Sequence, residues 1–274
     1  MKKPISITKH IYLLIILTAT TNNLHAQQHL GAKLTALGMS GAAIKDIWNV
    51  EGNVAGISGI TSPQFAINYT KYPNDADWSN QAAAFVLPIQ KNYLGLSFQR
   101  FGINEYNVIK VGFAVAKKFG SELALAIKLN YHQLQIKGYG NSTALSVDVG
   151  AIYDFNEELS FGIYLHNPSF EKFNNKTIQI EIRTIISIGA AYQLSDKFLV
   201  ATAIRKDAKS ALMTSFGVDY QLLKQISFSG GLKTQPFNEY CGFGINYKNI
   251  VLDFAVESDS NIGLIPQIGF AYAF

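Results

Sequence analysis

From Gln64 to Phe274, apolar residues recur at every second position in one segment after another, the period of strands that present one apolar face. In Leu123–Tyr131 one face carries Leu123, Leu125, Ile127, Leu129 and Tyr131, and the other carries Ala124, Ala126, Lys128, Asn130 and, one residue on, His132. Leu145, Val147, Val149 and Tyr153 oppose Ser146, Asp148 and Gly150 in the same way. Leu159, Phe161, Ile163 and Leu165 oppose Ser160, Gly162, Tyr164 and His166, and Ile109, Val111, Phe113 and Val115 oppose Lys110, Gly112, Ala114 and Ala116. The pattern predicts about fourteen strands, near 65–72, 80–88, 92–101, 107–117, 122–133, 143–154, 158–166, 178–193, 197–205, 211–221, 225–233, 239–248, 249–257 and 263–274.

A soluble sandwich or a lipocalin-like barrel also alternates, but its apolar face points inward and its outer face is wet. Here the second face is mostly Gly, Ala, Ser, Asn and Gln, which suits a crowded or water-lined interior and leaves the aliphatic and aromatic face for lipid. The expected fold is therefore all-β: a transmembrane antiparallel barrel spanning 63–274. Aromatic residues near predicted strand ends, Tyr69, Tyr72, Tyr93, Phe101, Tyr131, Tyr153, Tyr192, Tyr220 and Tyr247, fit the interfacial girdles of such a barrel.

Composition agrees. Hydrophobic residues make up 48% of the chain, yet only 15% are charged, below the roughly 25% usual for soluble domains. Mean hydropathy is +0.11, because the apolar residues are dispersed and not gathered into spans of about 20. Residues 1–26 form the exception: Lys2, Lys3 and Lys9, the apolar run Ile11–Leu17, and Leu24-His25-Ala26 before Gln27 have the layout of a cleaved secretory signal peptide. The formal charge of +4 falls to +1 once those three lysines leave, since residues 1–26 hold no acid. Such a chain has no basic footprint for nucleic acid. The single Cys241 excludes an internal disulfide or a multi-cysteine metal site, and its apolar surroundings point to inert packing.

Residues 27–62 do not alternate. They are rich in Gly and Ala, as a segment threaded through a narrow lumen needs, and are expected to plug the barrel. Three blocks stand out: Leu30-Gly31-Ala32, Ala36-Leu37-Gly38-Met39-Ser40-Gly41-Ala42, and, after a short acidic gap, Asn53-Val54-Ala55-Gly56-Ile57. Their order resembles the N-terminus of the PorV/PorQ family and its wider FadL-like relatives, in which the last block usually reads Asn-Pro-Ala-Gly-Leu. Gly38, Met39, Gly41, Asn53, Ala55 and Gly56 carry the match, with Val54 and Ile57 as departures. The Gly-rich C-terminal third is similar too: Phe216-Gly217-Val218-Asp219-Tyr220, Gly230-Gly231-Leu232, Gly242-Phe243-Gly244, Leu252-Asp253-Phe254, and a last strand that alternates Ile268, Phe270, Tyr272 and the terminal Phe274.

The resemblance implies a fourteen-stranded outer-membrane barrel, serving type IX protein secretion in company with its other components or exported proteins, or moving hydrophobic small molecules. It implies outer-membrane lipid as surroundings and no cofactor.

Little in the sequence points to a reaction. The histidines beyond residue 26 are His29, His132 and His166, with no metal-ligand spacing. His132, Ser146 and Asp148 share the non-lipid face of adjacent predicted strands, so a barrel enzyme acting on lipids is the alternative function. Lining of the lumen by Lys128, Asn130, His132, Ser146 and Asp148 is the simpler reading. Lys110, Lys128, Asp148, Arg205, Asp219 and Asp253 are expected to form internal ion pairs that hold the plug, or to set selectivity in an open lumen. Gly242-Phe243-Gly244 lacks the third glycine of a dinucleotide site, and the Asn-x-Thr triplets at Asn68, Asn141 and Asn175 read as strand and turn residues.

Overall fold

A computed structural model of the chain describes residues 30–73, 78–174 and 179–274. The expected signal peptide, Gln27, His29 and Asn175 lie outside the described residues.

The alternating segments form strands β1 (Gln64–Lys71), β2 (Ser79–Ile89), β3 (Asn92–Gly102), β4 (Tyr106–Phe119), β5 (Leu123–Ile136), β6 (Gly140–Asp154) and β7 (Leu159–His166). A small hairpin follows, β8 (Lys172–Asn174) with β9 (Gln179–Glu181). Then come β10 (Ile185–Ser195), β11 (Phe198–Asp207), β12 (Met213–Leu223), β13 (Ile226–Thr234), β14 (Phe237–Tyr247), β15 (Ile250–Asp259) and β16 (Gly263–Ala273). With β8 and β9 set aside, the other fourteen strands pair antiparallel in a closed ring, in which β1 meets both β2 and β16. The expected single strand over 178–193 is corrected: the chain makes β9, breaks at 182–184, and starts the barrel strand at Ile185.

That break has a physical cause. Asn167, fully buried at the end of β7, donates from Nδ2 to the carbonyls of Glu171 (3.0 Å) and Ile182 (2.9 Å), and its own carbonyl accepts from Thr184 Oγ1 (2.8 Å). One side chain thus pins both ends of the excursion that carries the hairpin.

The barrel has two different ends. At one, residues 90–91, 196–197, 224–225 and 248–249 make tight turns, and the last residue, Phe274, donates its N–H to the carbonyl of Pro63. At the other lie the longest connections, 72–78, 167–184 and 208–212, beside others of two or three residues. Short turns on one side and longer loops on the other are the arrangement of outer-membrane barrels, with the turns periplasmic.

Side chains follow the predicted alternation. Leu125, Ile127, Leu129 and Tyr131 are exposed on the outer wall, Leu129 to 50%, while Ala124, Ala126, Lys128, Asn130 and His132 between them are buried inside. Leu96, Phe98, Val111, Phe113, Phe216 and Ile268 extend the same outer surface. So much contiguous apolar surface is a poor match for water and a good one for hydrocarbon. Two aromatic and sulfur positions depart from expectation. Tyr93 is buried, because it shares the inward phase of Gly95, Ser97 and Gln99, and the Lys118 ammonium sits 5.8 Å above its ring. Cys241 is exposed on the outer wall, in phase with Phe243 and Ile245, and not packed in an interior.

A charge placed on this wall is expected to cost most at mid-height. Leu129→Lys lowers the unfolding free energy in lipid by about 2–4 kcal/mol, and Gln133→Lys, nearer the loop end, by about 0–1 kcal/mol. Urea titration of the refolded barrel in bilayers measures both; equal costs contradict a hydrocarbon-facing wall.

Candidate functional site: the filled lumen

The inward face of the turn-end half is built from residues with almost no side chain: Ala84, Gly95, Ala114, Ala116, Ala124, Ala126, Gly150, Gly162, Ala201, Gly217, Gly231 and Gly242. The space they leave is taken by residues 30–60, a short helix α1 (Gly31–Ala36) followed by three 3-10 turns, Gly41–Ala43, Ile47–Val50 and Val54–Gly59. Leu30, Leu34, Leu37, Trp48, Val50, Val54 and Ile57 form one buried cluster with the wall alanines, Val86, Tyr93 and Ile152. At Gly162 a Cβ would strike the Ala42 carbonyl and at Gly231 the Gly38 backbone, so a side chain at either would displace the segment. Gly38 itself sits at φ +64, a left-handed conformation that ends α1 and that glycine adopts without strain.

A buried segment without regular secondary structure must satisfy its backbone by other means. Two asparagines do this. Asn49 Nδ2 donates to the carbonyls of Gly41 (3.1 Å) and Ile44 (2.5 Å). Asn53 Nδ2 donates to Ala42 (2.6 Å) and across to Ala151 of β6 (2.9 Å), while its Oδ1 caps the last 3-10 turn at the Ala55 N–H (3.3 Å). Asp46 caps the turn before it through the Trp48 N–H at 2.8 Å. On the wall, Asn68 Oδ1 of β1 accepts from the Ala32 N–H of α1 at 3.0 Å.

The other family-motif positions have equally local roles. Met39 continues the reversal at φ +61 and is buried, and the Gly41 carbonyl accepts from Asn49. Ala55 is buried, and Gly56 packs on the Asn49 side chain and the Ile44 carbonyl.

Electrostatics concentrate on Glu51, 1% exposed, whose carboxylate pairs with both Lys128 (2.8 Å) and Lys110. The Lys128 ammonium also donates to the Val50 carbonyl at 2.7 Å. Burial alone would push the Glu51 carboxyl up; the two ammonium groups more than reverse that and hold it down at about 2. A second link, Lys45 to Asp154 of β6 at 2.5 Å, ties the segment to the turn-end rim, where α1 also brings Lys33 within 4.0 Å of Asp46. Glu51 lies in the acidic gap between the motif blocks, where the sequence does not single it out. Its one signal is a lone carboxylate between Val50 and Gly52 in an otherwise small and apolar run.

Above the segment, toward the loop end, the expected lumen residues meet in two groups. Asp148 accepts from Asn130 Nδ2 (2.9 Å), the Tyr164 hydroxyl (3.0 Å) and the Asn167 N–H (3.2 Å), and lies 2.7 Å from His166 Nδ1. His132 Nε2 instead meets Ser146 Oγ at 2.8 Å, with the ring of Phe173 from β8 edge-on to it. A Ser146–His132–Asp148 triad is therefore not assembled: the carboxylate orients His166, and among the described residues no acid hydrogen-bonds His132. Of the remaining charges, Asp219 accepts from Ser229 Oγ at 2.6 Å, and the Arg205 side chain makes no hydrogen bond or ion pair among the described residues. A further buried cluster, Glu257 with Asn238 (2.5 Å), Tyr240 (2.9 Å) and Lys233 (3.7 Å), was not anticipated.

Residues 30–60 pack against the inner side of strands all round the ring, and little space is left beside them. A pocket between the segment and β7, β10 and β11, lined by Met39, Asn49, Tyr164, Ser187 and Arg205, has a volume of about 10 Å³, the scale of one water. In the wall, the pairings β1–β16, β1–β2, β2–β3 and β3–β4 run in unbroken register, while β10–β11 and β12–β13 shift register near the turn end, at Gln193–Ser195 and Gln221–Leu223.

Glu51→Gln is expected to leave two buried ammonium groups facing a neutral amide and to cost about 3–5 kcal/mol of stability, read by urea unfolding. The pH dependence has the sign of a depressed carboxylate: the Glu51 contribution is complete above the ordinary value of 4.5 and is lost progressively as pH falls from there through about 2. Wild-type protein then keeps most of this contribution at pH 4; loss of half of it by that pH contradicts the assignment.

No family model and no curated protein matches the sequence. Solved structures do match the fold. The Ralstonia pickettii toluene transporter TbuX superposes with a TM-score of 0.73 at 12% identity, covering 91% of this chain and 99% of that one. The Pseudomonas putida toluene transporter TodX gives 0.68 at 9% identity over 91% and 98%, and a Pseudomonas aeruginosa FadL homologue gives 0.65 at 11% over 89% and 98%. At such identities the likeness is one of architecture: a closed 14-strand antiparallel barrel preceded by a short helical segment.

Proposed function

We propose that this chain is an outer-membrane barrel that passes hydrophobic small molecules, with aromatic compounds as the class to try first. The observation that carries the reading is the architectural likeness over nine-tenths of the chain to the toluene transporters TbuX and TodX. The apolar outer wall and the short-turn, long-loop polarity support the membrane location. In this reading residues 30–60 are the gate. Their contact with the wall is mostly apolar and side-chain-poor, and a few polar links, Glu51 with Lys110 and Lys128, Asn53 with Ala151 and Lys45 with Asp154, fix the closed position. A cleaved leader at residues 1–26 completes the proposal.

A second reading has its own support. The order of the Gly38–Ala42 and Asn53–Ile57 blocks resembles PorV and PorQ, and a lumen filled by the chain itself suits a barrel that serves type IX secretion as a surface component without conducting anything.

The two readings separate in cells. Radiolabelled toluene or a fatty acid enters a deletion strain more slowly than the parent if the barrel transports it, and Glu51→Gln raises entry above wild type by loosening the gate. Unchanged uptake in the deletion strain removes the transport reading. A deletion strain that exports type IX cargo at the parental level removes the secretion reading.

A further inference from the structure

The strand register sets out two parallel rows of outward side chains across β16, β1, β2 and β3. The lower row is Phe270, Ile67, Ala83 and Phe98, each directly opposite the next on the neighbouring strand. The upper row, two residues nearer the loop end, continues through Tyr69 to Gln81 and Arg100 by the same pairings. Because Ala83 is short where its neighbours are long, the rows enclose a groove of about 440 Å³, floored by the backbone at Asn68, Ala82 and Gly269. That volume is in the range of a ligand pocket, and its walls are apolar.

The head of the groove differs in kind from its body. Arg100 stands at the end of the upper row, and Lys71 lies two residues beyond Tyr69 on the same face of β1. Among the described residues neither makes an ion pair. Two cations at the loop-end rim, beyond an apolar slot in a lipid-facing wall, match the charge and polarity of an anionic amphiphile. A loop end that faces outward puts this site in the outer leaflet.

We propose that the groove binds one molecule of lipid A, the phosphorylated glycolipid of that leaflet, with a phosphate between Lys71 and Arg100 and an acyl chain laid over Ala83 between Ile67 and Phe98. Arg supplies the planar, multi-donor fork that phosphate oxygens favour, and Lys adds a second charge. The proposal goes beyond what the barrel moves and rests only on its seat in the outer membrane.

Native mass spectrometry of the detergent-purified protein titrated with lipid A tests it. Wild type is expected to retain one lipid A, and the Lys71→Gln/Arg100→Gln pair to bind at least tenfold more weakly. Ala83→Phe, which fills the slot and leaves both cations, is expected to lose the adduct as well, while Lys117→Gln at the opposite rim retains it. Full binding by the Lys71/Arg100 variant, or by Ala83→Phe, overturns the proposal. Equal retention of phosphatidylglycerol overturns the choice of occupant. A wild-type protein that partitions into bilayers yet retains no lipid A refutes this site and leaves the membrane reading standing.

Discussion

Everything in this molecule depends on the pairing of β1 with β16. A strand at the edge of a sheet leaves a row of N–H and C=O groups bare, and in hydrocarbon each bare group costs several kcal/mol. Antiparallel hairpins satisfy every strand but the first and last; the pairing from Gln64–Ala273 to Thr70–Gln267 satisfies those. Once the ring is closed, alternate side chains have only two destinations. One set faces lipid and must be apolar. The other set faces a confined interior, where bulk is limited and polar groups need partners.

The interior solves its crowding with small residues and its polarity with pairing. Glycines and alanines on the inward face make room for residues 30–60, which bring Leu, Ile, Val and Trp side chains to an interior the strands leave almost without any. The charges that remain inside are placed so that most are answered: Glu51 by two lysines, Asp148 by His166, Glu257 by Lys233, Asp207 by Arg183. Pairs of this kind rarely add much net stability over an apolar alternative, but breaking one is expensive, which suits a segment that must keep one position. The scarcity of charge in the sequence follows from the same geometry, because the barrel has no broad water-facing wall to carry it.

The barrel was legible because period two is a local property. Each strand states its own faces, and residues such as Tyr93 and Cys241 were misplaced only where the phase of their neighbours was set aside in favour of strand-end position or residue type. The 178–193 segment is different. Apolar residues at Ile180, Ile182, Ile186 and Ile188 keep one phase through the break, so the pattern holds no mark of it. The break is dictated by Asn167, from hydrogen bonds that span the excursion. Long-range partners were out of reach for the same reason. Glu51 lies 77 residues from Lys128, and the geometry that puts Asp148 on His166 and leaves His132 to Ser146 comes from strand register and side-chain reach, not from spacing.

The central claim is that the outer wall faces lipid while the inner face is sealed by the chain's own residues 30–60. A nitroxide scan of positions 123–132 in reconstituted bilayers, on a Cys241→Ser background, tests both halves at once. The account predicts high oxygen collision rates at odd positions, and low rates at even positions to both oxygen and a water-soluble nickel complex. Even positions open to the nickel complex, or collision rates without a period of two, would contradict it.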